Sequence, residues 1–148
     1  MIIKQYTQEH LTDVIDAVRI FKKEDKDKWY EGRWTDVLHY KNVYLKNSKF
    51  RTFLALNENN ELAGFIIGRE INQRKYDIEI HYVKPEVRHN GVAKKLKQSL
   101  ADFAKNNGYK SIRSYVAFDN KGSIRLNESL GWDKKEVKDC YKFKLKFV

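Results

Sequence analysis

The chain has 148 residues, with 30 Lys and Arg against 20 Asp and Glu, a formal net charge of +10. That is about one ordinary domain, long enough to enclose a core, and a 41% hydrophobic content with nine Tyr, eight Phe and three Trp makes the core material aromatic-rich. A lone Cys140 excludes an internal disulfide, no Cys/His cluster stands at zinc spacing, no apolar run reaches membrane-span length, and the positive charge suits a polyanion or a multiply phosphorylated small molecule.

The start, Met1 to Tyr6, lacks the apolar stretch of a secretion signal, so a reducing, cytoplasmic setting is expected. Ile2 to Tyr6 reads as a strand. Thr7 offers helix-cap chemistry, and Leu11, Val14, Ile15, Val18 and Phe21 follow at the spacing of one helix face. The charged run Lys22 to Lys28 breaks that pattern and predicts a solvated loop. A second amphipathic piece is predicted over Trp34 to Leu45. Phe50 to Leu56 and Ala63 to Ile71 read as strands joined by a hairpin turn at Asn57 to Asn60. Asp77 to Val83 is the next strand, stopped by Lys84-Pro85. A helix is predicted from Gly91 to Lys105 with Gly108 as its stop, then a strand over Ser111 to Val116 and a short helix over Asn120 to Leu130 closed by Gly131. The tail from Tyr141 to Phe147 alternates apolar residues with Lys, the pattern of a strand with one wet face. No linker or repeat interrupts the order β-α-α-β-β-β-α-β-α-β-β, which predicts a single mixed α/β domain over residues 1–148 with a central βαβ unit from Asp77 to Val116.

The segment Val83-Lys84-Pro85-Glu86-Val87-Arg88-His89-Asn90-Gly91-Val92-Ala93 sits between a predicted strand and a predicted helix. Such a loop aims backbone N–H groups and a positive helix end at an anion. Gly91 alone would also serve as an ordinary helix-start glycine. Downstream, Asn120-x-x-Ser123-x-x-Leu126-Asn127-Glu128-x-Leu130-Gly131-Trp132 forms a second motif, whose Gly131-Trp132 pair also reads as a helix stop with a core aromatic. The Arg-x-x-Gly-x-Ala loop resembles the acyl-CoA pyrophosphate loop of the GCN5-related N-acetyltransferases (GNAT superfamily). The second motif resembles that family's Asn-x-x-Ala-x-x-Leu-Tyr-x-x-x-Gly-Phe segment, and the element order matches over nearly the whole chain.

The resemblance implies a mostly antiparallel central sheet with flanking helices, acetyl-CoA as cofactor, and direct acetyl transfer to a primary amine of a small molecule or protein. It implies that Arg88, His89, Asn90, Gly91, Val92 and Ala93 hold the diphosphate, with His89 and Asn90 replacing the family's usual Gly or Lys. The strand end His81, Tyr82 and Val83, together with Asn120 and Asn127, completes the implied cofactor contacts. Asn127 stands where many relatives carry a Tyr that protonates the departing thiolate, and an amide cannot take that role by ionising. Tyr115 and Tyr141 are alternative acids or ordinary core aromatics.

For the base, Asp77, Glu79 and His81 alternate along one strand and are expected on one face. Glu79 is the first candidate and His81 the second, since an amine must lose a proton before attacking a thioester; a plain solvent face is the other reading. Trp29, Tyr30, Glu31, Trp34, Asp36, His39 and Tyr40 would suit a cationic amine through cation–π contact and charge pairing, or pack between helices. No metal is expected. A homodimer sharing the apolar face of the last strand is considered. The rival readings are an acyl-CoA-binding regulator without catalysis and a small basic nucleic-acid-binding module using Lys142, Lys144 and Lys146. Nucleic acid is disfavoured because the tail aromatics alternate with Lys and so face inward.

Overall fold

The computed structural model describes residues 1–24 and 47–148, with backbone alone for 21–24. Its strands are β1 (Ile2–Gln5), β2 (Phe50–Leu56), β3 (Leu62–Glu70), β4 (Lys75–Val83), β5 (Ser111–Ala117), β6 (Asp133–Glu136) and β7 (Cys140–Lys146); its helices are α1 (Leu11–Glu24), α2 (Val92–Asn106) and α3 (Lys121–Ser129). The strands form one sheet in the order β1-β2-β3-β4-β5-β7-β6. Every pairing is antiparallel except β4 with β5, which α2 connects as the expected βαβ unit.

Two apolar layers flank the sheet. Val14, Ala17 and Val18 of α1 recur at helical spacing and pack on Leu54, Phe65, Ile67, Ile80 and Tyr82. Val92, Leu96 and Leu100 of α2 cover the opposite face, against Ile66, Tyr76, Ile112, Phe143 and Trp132. Tyr141, Leu145 and Phe147 join that second layer. The apolar face of β7 is therefore turned toward the chain's own core.

Two local expectations change. The helix begun at Leu11 continues through Lys22 and Lys23 to Glu24, because Lys and Glu are good helix formers and no Pro or Gly intervenes; the remainder of the predicted loop lies outside the described residues. Thr7 precedes a 3₁₀ turn, Gln8–His10, and its hydroxyl turns to Glu9 Oε1 at 3.3 Å instead of capping. The β2–β3 hairpin forms as predicted, with Asn57 Oδ1 accepting from the Asn59 and Glu61 N–H groups at 2.9 Å each. The helix predicted over Trp34 to Leu45 also falls outside the described residues.

Candidate functional site

Strands β4 and β5 pair at three positions only, Lys75↔Ser111, Tyr76↔Ile112 and Asp77↔Arg113. Beyond that rung β4 runs on to Val83, held by β3, while β5 runs on to Ala117, held by β7. The sheet thus opens into a wedge between two supported strands.

A β-bulge lies on one wall of the wedge. Ile67 faces Ile80 and Gly68 faces Ile78, so Glu79 is the extra residue. This reverses the parity of β4. Asp77 pairs with Arg69 on the α1 face, whereas His81 pairs with Ile66 on the α2 face. The expectation that Asp77, Glu79 and His81 share one face is corrected: the bulge separates His81 from the two carboxylates. Glu79 stays on the α1 side, in an ion pair with Arg69 (Nε to Oε1, 2.9 Å), its side chain only 7% exposed. Asp77 accepts two hydrogen bonds from Arg113, 2.7 Å from Nε and 3.0 Å from Nη2.

His81 lies under the start of α2. Burial first, then the charge of Lys97, pushes its imidazole down to about 3, against the pull of a backbone hydrogen bond at Ala93. It is uncharged near neutral pH, and its buried Nε2 has no hydrogen-bond partner. A base that weak is poorly matched to an alkylammonium.

The loop after β4 leaves a helix start uncovered. Lys84 N–H bonds Ala63 C=O at 2.8 Å, and Pro85–Val87 makes a 3₁₀ turn. Arg88 Nε donates to Val83 C=O at 2.9 Å, and its guanidinium lies 5.8 Å from the Tyr82 ring centre, which folds the loop back on the strand end. His89 (φ 69°) and Gly91 (φ 78°) take left-handed backbone conformations, and His89, Asn90 and Gly91 are exposed. The first helical bond of α2 runs from Lys95 N–H to Gly91 C=O, and no side chain caps the helix. The N–H groups of Val92, Ala93 and Lys94 therefore precede the helix's own ladder. A Cβ on Gly91 would meet nothing within 4 Å, so glycine is required there by φ and not by neighbouring atoms. Open space beside uncapped donors fits a diphosphate.

Asn120 caps α3 through its Oδ1, which accepts from Ser123 N–H at 3.2 Å. Asn127 is fully buried; its Nδ2 donates to Ser123 C=O at 2.8 Å, while Oδ1 has no partner. An orphaned buried acceptor is costly and suits an incoming donor. Tyr115 is exposed on the α1 face, whereas Tyr141 sits on the other face among Phe118 and Phe143. Burial, then Asp139, pushes the Cys140 thiol up, which argues against a nucleophile there.

Sequence reasoning missed Lys97. It is 2% exposed on α2, with Nζ 4.6 Å from the Trp132 ring centre, and burial pushes its ammonium down to about 7. Ala93, Ala101 and Ala104, small residues beside the Leu stripe, were the available signal that the buried face of α2 is wide enough to include position 97. Trp29, Tyr30, Glu31, Trp34, Asp36, His39 and Tyr40 lie outside the described residues. Among the described residues no His/Cys/Asp/Glu group could hold a metal, and no helix is long and apolar enough to cross a membrane.

The family profile of the acetyltransferase (GNAT) family matches residues 15–132. An uncharacterised N-acetyltransferase of Methanocaldococcus jannaschii is 27% identical over 146 residues; the match covers 92% of this chain and 64% of that relative's length. The fold is shared with the PaiA N-acetyltransferase of Thermoplasma acidophilum, solved with coenzyme A (TM-score 0.78, 20% identity, 99% of this chain and 100% of that one). It is shared too with a spermidine N-acetyltransferase of Vibrio cholerae, solved with coenzyme A and spermine (TM-score 0.80, 16% identity, 98% and 94% covered).

Proposed function

Because this chain belongs to the acetyltransferase (GNAT) family, whose cofactor is acetyl-CoA, we propose that it transfers an acetyl group directly to a primary amine at the β4–β5 wedge. The observation that carries the reading is the uncapped start of α2 behind the left-handed loop at His89 and Gly91, placed at the end of a strand that has just parted from its neighbour. The backbone from Arg88 to Ala93 would hold the diphosphate. Asn120 and the free Oδ1 of Asn127 would meet the pantetheine arm, and His81, Tyr82 and Val83 would form the β4 wall beside it. When bound, acetyl-CoA supplies an acyl group already activated as a thioester.

Glu79 takes the proton from the incoming ammonium, directly or through water, so that the amine is neutral when it attacks. The bulge that isolates Glu79 also aims it away from the α2 layer, and Arg69 keeps a positive charge beside it. His81, neutral and on the other face, is assigned to the cofactor wall instead. Asn127 gives one of its two N–H donors to Ser123 and, as an amide, has no ionisable proton for a departing thiolate. That observation favours one second reading, a protein that binds acetyl-CoA without turning it over.

Calorimetry and thiol release with an amine panel test both. We expect acetyl-CoA to bind, the Gly91→Glu variant to lose at least about a hundredfold in affinity by setting a carboxylate in the anion seat, and its melting temperature to fall by only the few degrees that a left-handed backbone costs a non-glycine residue. Unchanged affinity in Gly91→Glu would remove the loop assignment. Binding without thiol release from any amine would establish the second reading.

A further inference from the structure

The α1 face of the sheet is clothed unevenly. Among the described residues its apolar layer stops at Ile80 and Tyr82 of β4, and no residue of β5, β7 or β6 belongs to it. What β5 and β7 present there is fixed by register: Ser111 beside Lys146, Arg113 beside Lys144, Tyr115 beside Lys142. Burial, and then the charges of Lys146, Lys142, Lys75 and Arg113, pull the Lys144 ammonium down, so five cations share one patch. Alternate residues of a strand stand about 7 Å apart, which makes Lys142, Lys144 and Lys146 an evenly spaced column.

The column ends at the wedge. Arg113 belongs to the last β4–β5 rung, and Tyr115, 36% exposed, is two residues beyond it where the strands have parted. Glu79 opens on this same face. The two carboxylates of β4 there are each matched by an arginine, Asp77 by Arg113 and Glu79 by Arg69, so neither offsets the column, and β6 adds one charge of each sign, Asp133 beside Lys144 and Lys135 beside Lys142. Residues 25–46 carry five basic and four acidic side chains, a net +1.

We propose that this basic column is a docking surface for an acidic polypeptide segment that carries the acceptor amine into the wedge. The inference rests on the acetyltransferase reading and adds the class of acceptor. A polyamine would meet repulsion along the whole approach, whereas aspartates and glutamates flanking an amine would lie along the lysines. A nucleic acid has the charge but a poorer nucleophile, because its exocyclic amines are conjugated into the bases. A peptide α-amine, with an ordinary pKa of about 8, is largely neutral at mildly alkaline pH.

The test uses the full chain and three acceptors: a lysine-free peptide with a free N-terminus followed by four Asp and Glu, its Asn/Gln counterpart, and spermine. Dye-labelled acidic peptide should bind in fluorescence anisotropy. Raising salt from about 0.1 M to about 1 M, which shortens the screening length from about 10 Å to about 3 Å, should weaken that binding. The triple variant Lys142→Glu, Lys144→Glu and Lys146→Glu should weaken it about tenfold or more while acetyl-CoA affinity is unchanged. The milder Lys→Gln triple guards against misfolding. In thiol release the acidic peptide should exceed its neutral counterpart about tenfold in kcat/KM, with spermine lowest. Equal binding or turnover of the acidic and neutral peptides, preference for spermine, or tighter binding of a single-stranded oligonucleotide would overturn the surface. Salt-sensitive peptide binding with no thiol release would keep the surface and sink the acetyltransferase reading.

Discussion

Strands β3 and β7 hold comparable places in the two halves of the sheet but bury differently. From Leu62 to Gly68 every residue of β3 is buried, because α1 and α2 cover its two faces. In β7 only Cys140 and Phe143 are buried, and Lys142, Lys144 and Lys146 stand on the face away from Phe143. The buried stretch of β3 has no side chain to spare for anything except packing. Among the described residues the half-clothed one keeps a face on which charge can accumulate at no cost to the core. The wedge falls on the boundary between them, so its two walls inherit different tolerances.

The boundary should give the largest effect. Glu79→Gln preserves shape beside Arg69 and removes the proton acceptor. We expect kcat/KM to fall about 10²- to 10⁴-fold with acetyl-CoA affinity and melting temperature nearly unchanged. A wild-type rate would clear Glu79 of the role and leave the ion pair with Arg69 as its purpose.

The clothed half should yield next, and through the backbone. A Cβ on Gly64 would stand 2.6 Å from the Tyr82 carbonyl oxygen, a main-chain atom that the β3–β4 ladder holds in place. Gly64→Ala should cost about 3 kcal/mol in urea unfolding. At Gly68 the same Cβ would meet ring and methyl tips, Tyr76 Cε2 at 2.6 Å and Leu100 Cδ2 at 2.9 Å, which can shift. Gly68→Ala should therefore cost less. The reverse order would mean that the core around Tyr76 is stiffer than the ladder.

These positions also show what the sequence carried. The apolar run of β3 and the alternation of β7 are periodic signals, and both strands were assigned within a residue or two. So were the βαβ unit and the strand–loop–helix passage from Val83 to Ala93, since Pro, Gly and an amphipathic helix mark them locally. The bulge at Glu79 left no such mark. It depends on how β3 and β4 align, a pairing between distant segments, and strict alternation through Asp77, Glu79 and His81 pointed to the wrong answer. Lys97 was illegible for a related reason. A lysine one step from the Leu96 stripe looks solvated until Trp132, 35 positions later in the chain, closes over it.

Lys97 gives the smallest prediction and the one of opposite sign. Its ammonium is buried in the clothed layer with an aromatic ring and a neutral imidazole for company, and burial lowers its pKa to about 7. The unfolded chain binds that proton up to about pH 10.4, so between roughly pH 7 and 10 the unfolded state holds more protons than the folded one. Stability should consequently rise with pH across that window, and the full cost of the buried charge should be present below it. His81 acts with the same sign lower down, between its folded value of about 3 and the ordinary 6.5. Lys97→Met keeps the volume and removes the charge. We expect it to stabilise the protein by about 1–2 kcal/mol at pH 6, to flatten the rise in melting temperature above pH 7, and, because the charge of Lys97 helps hold the His81 imidazole down, to make the acid-side rise smaller as well. A destabilised variant would show that the contact with Trp132 outweighs the desolvation of the cation, which would make Lys97 a structural pin between α2 and the end of α3.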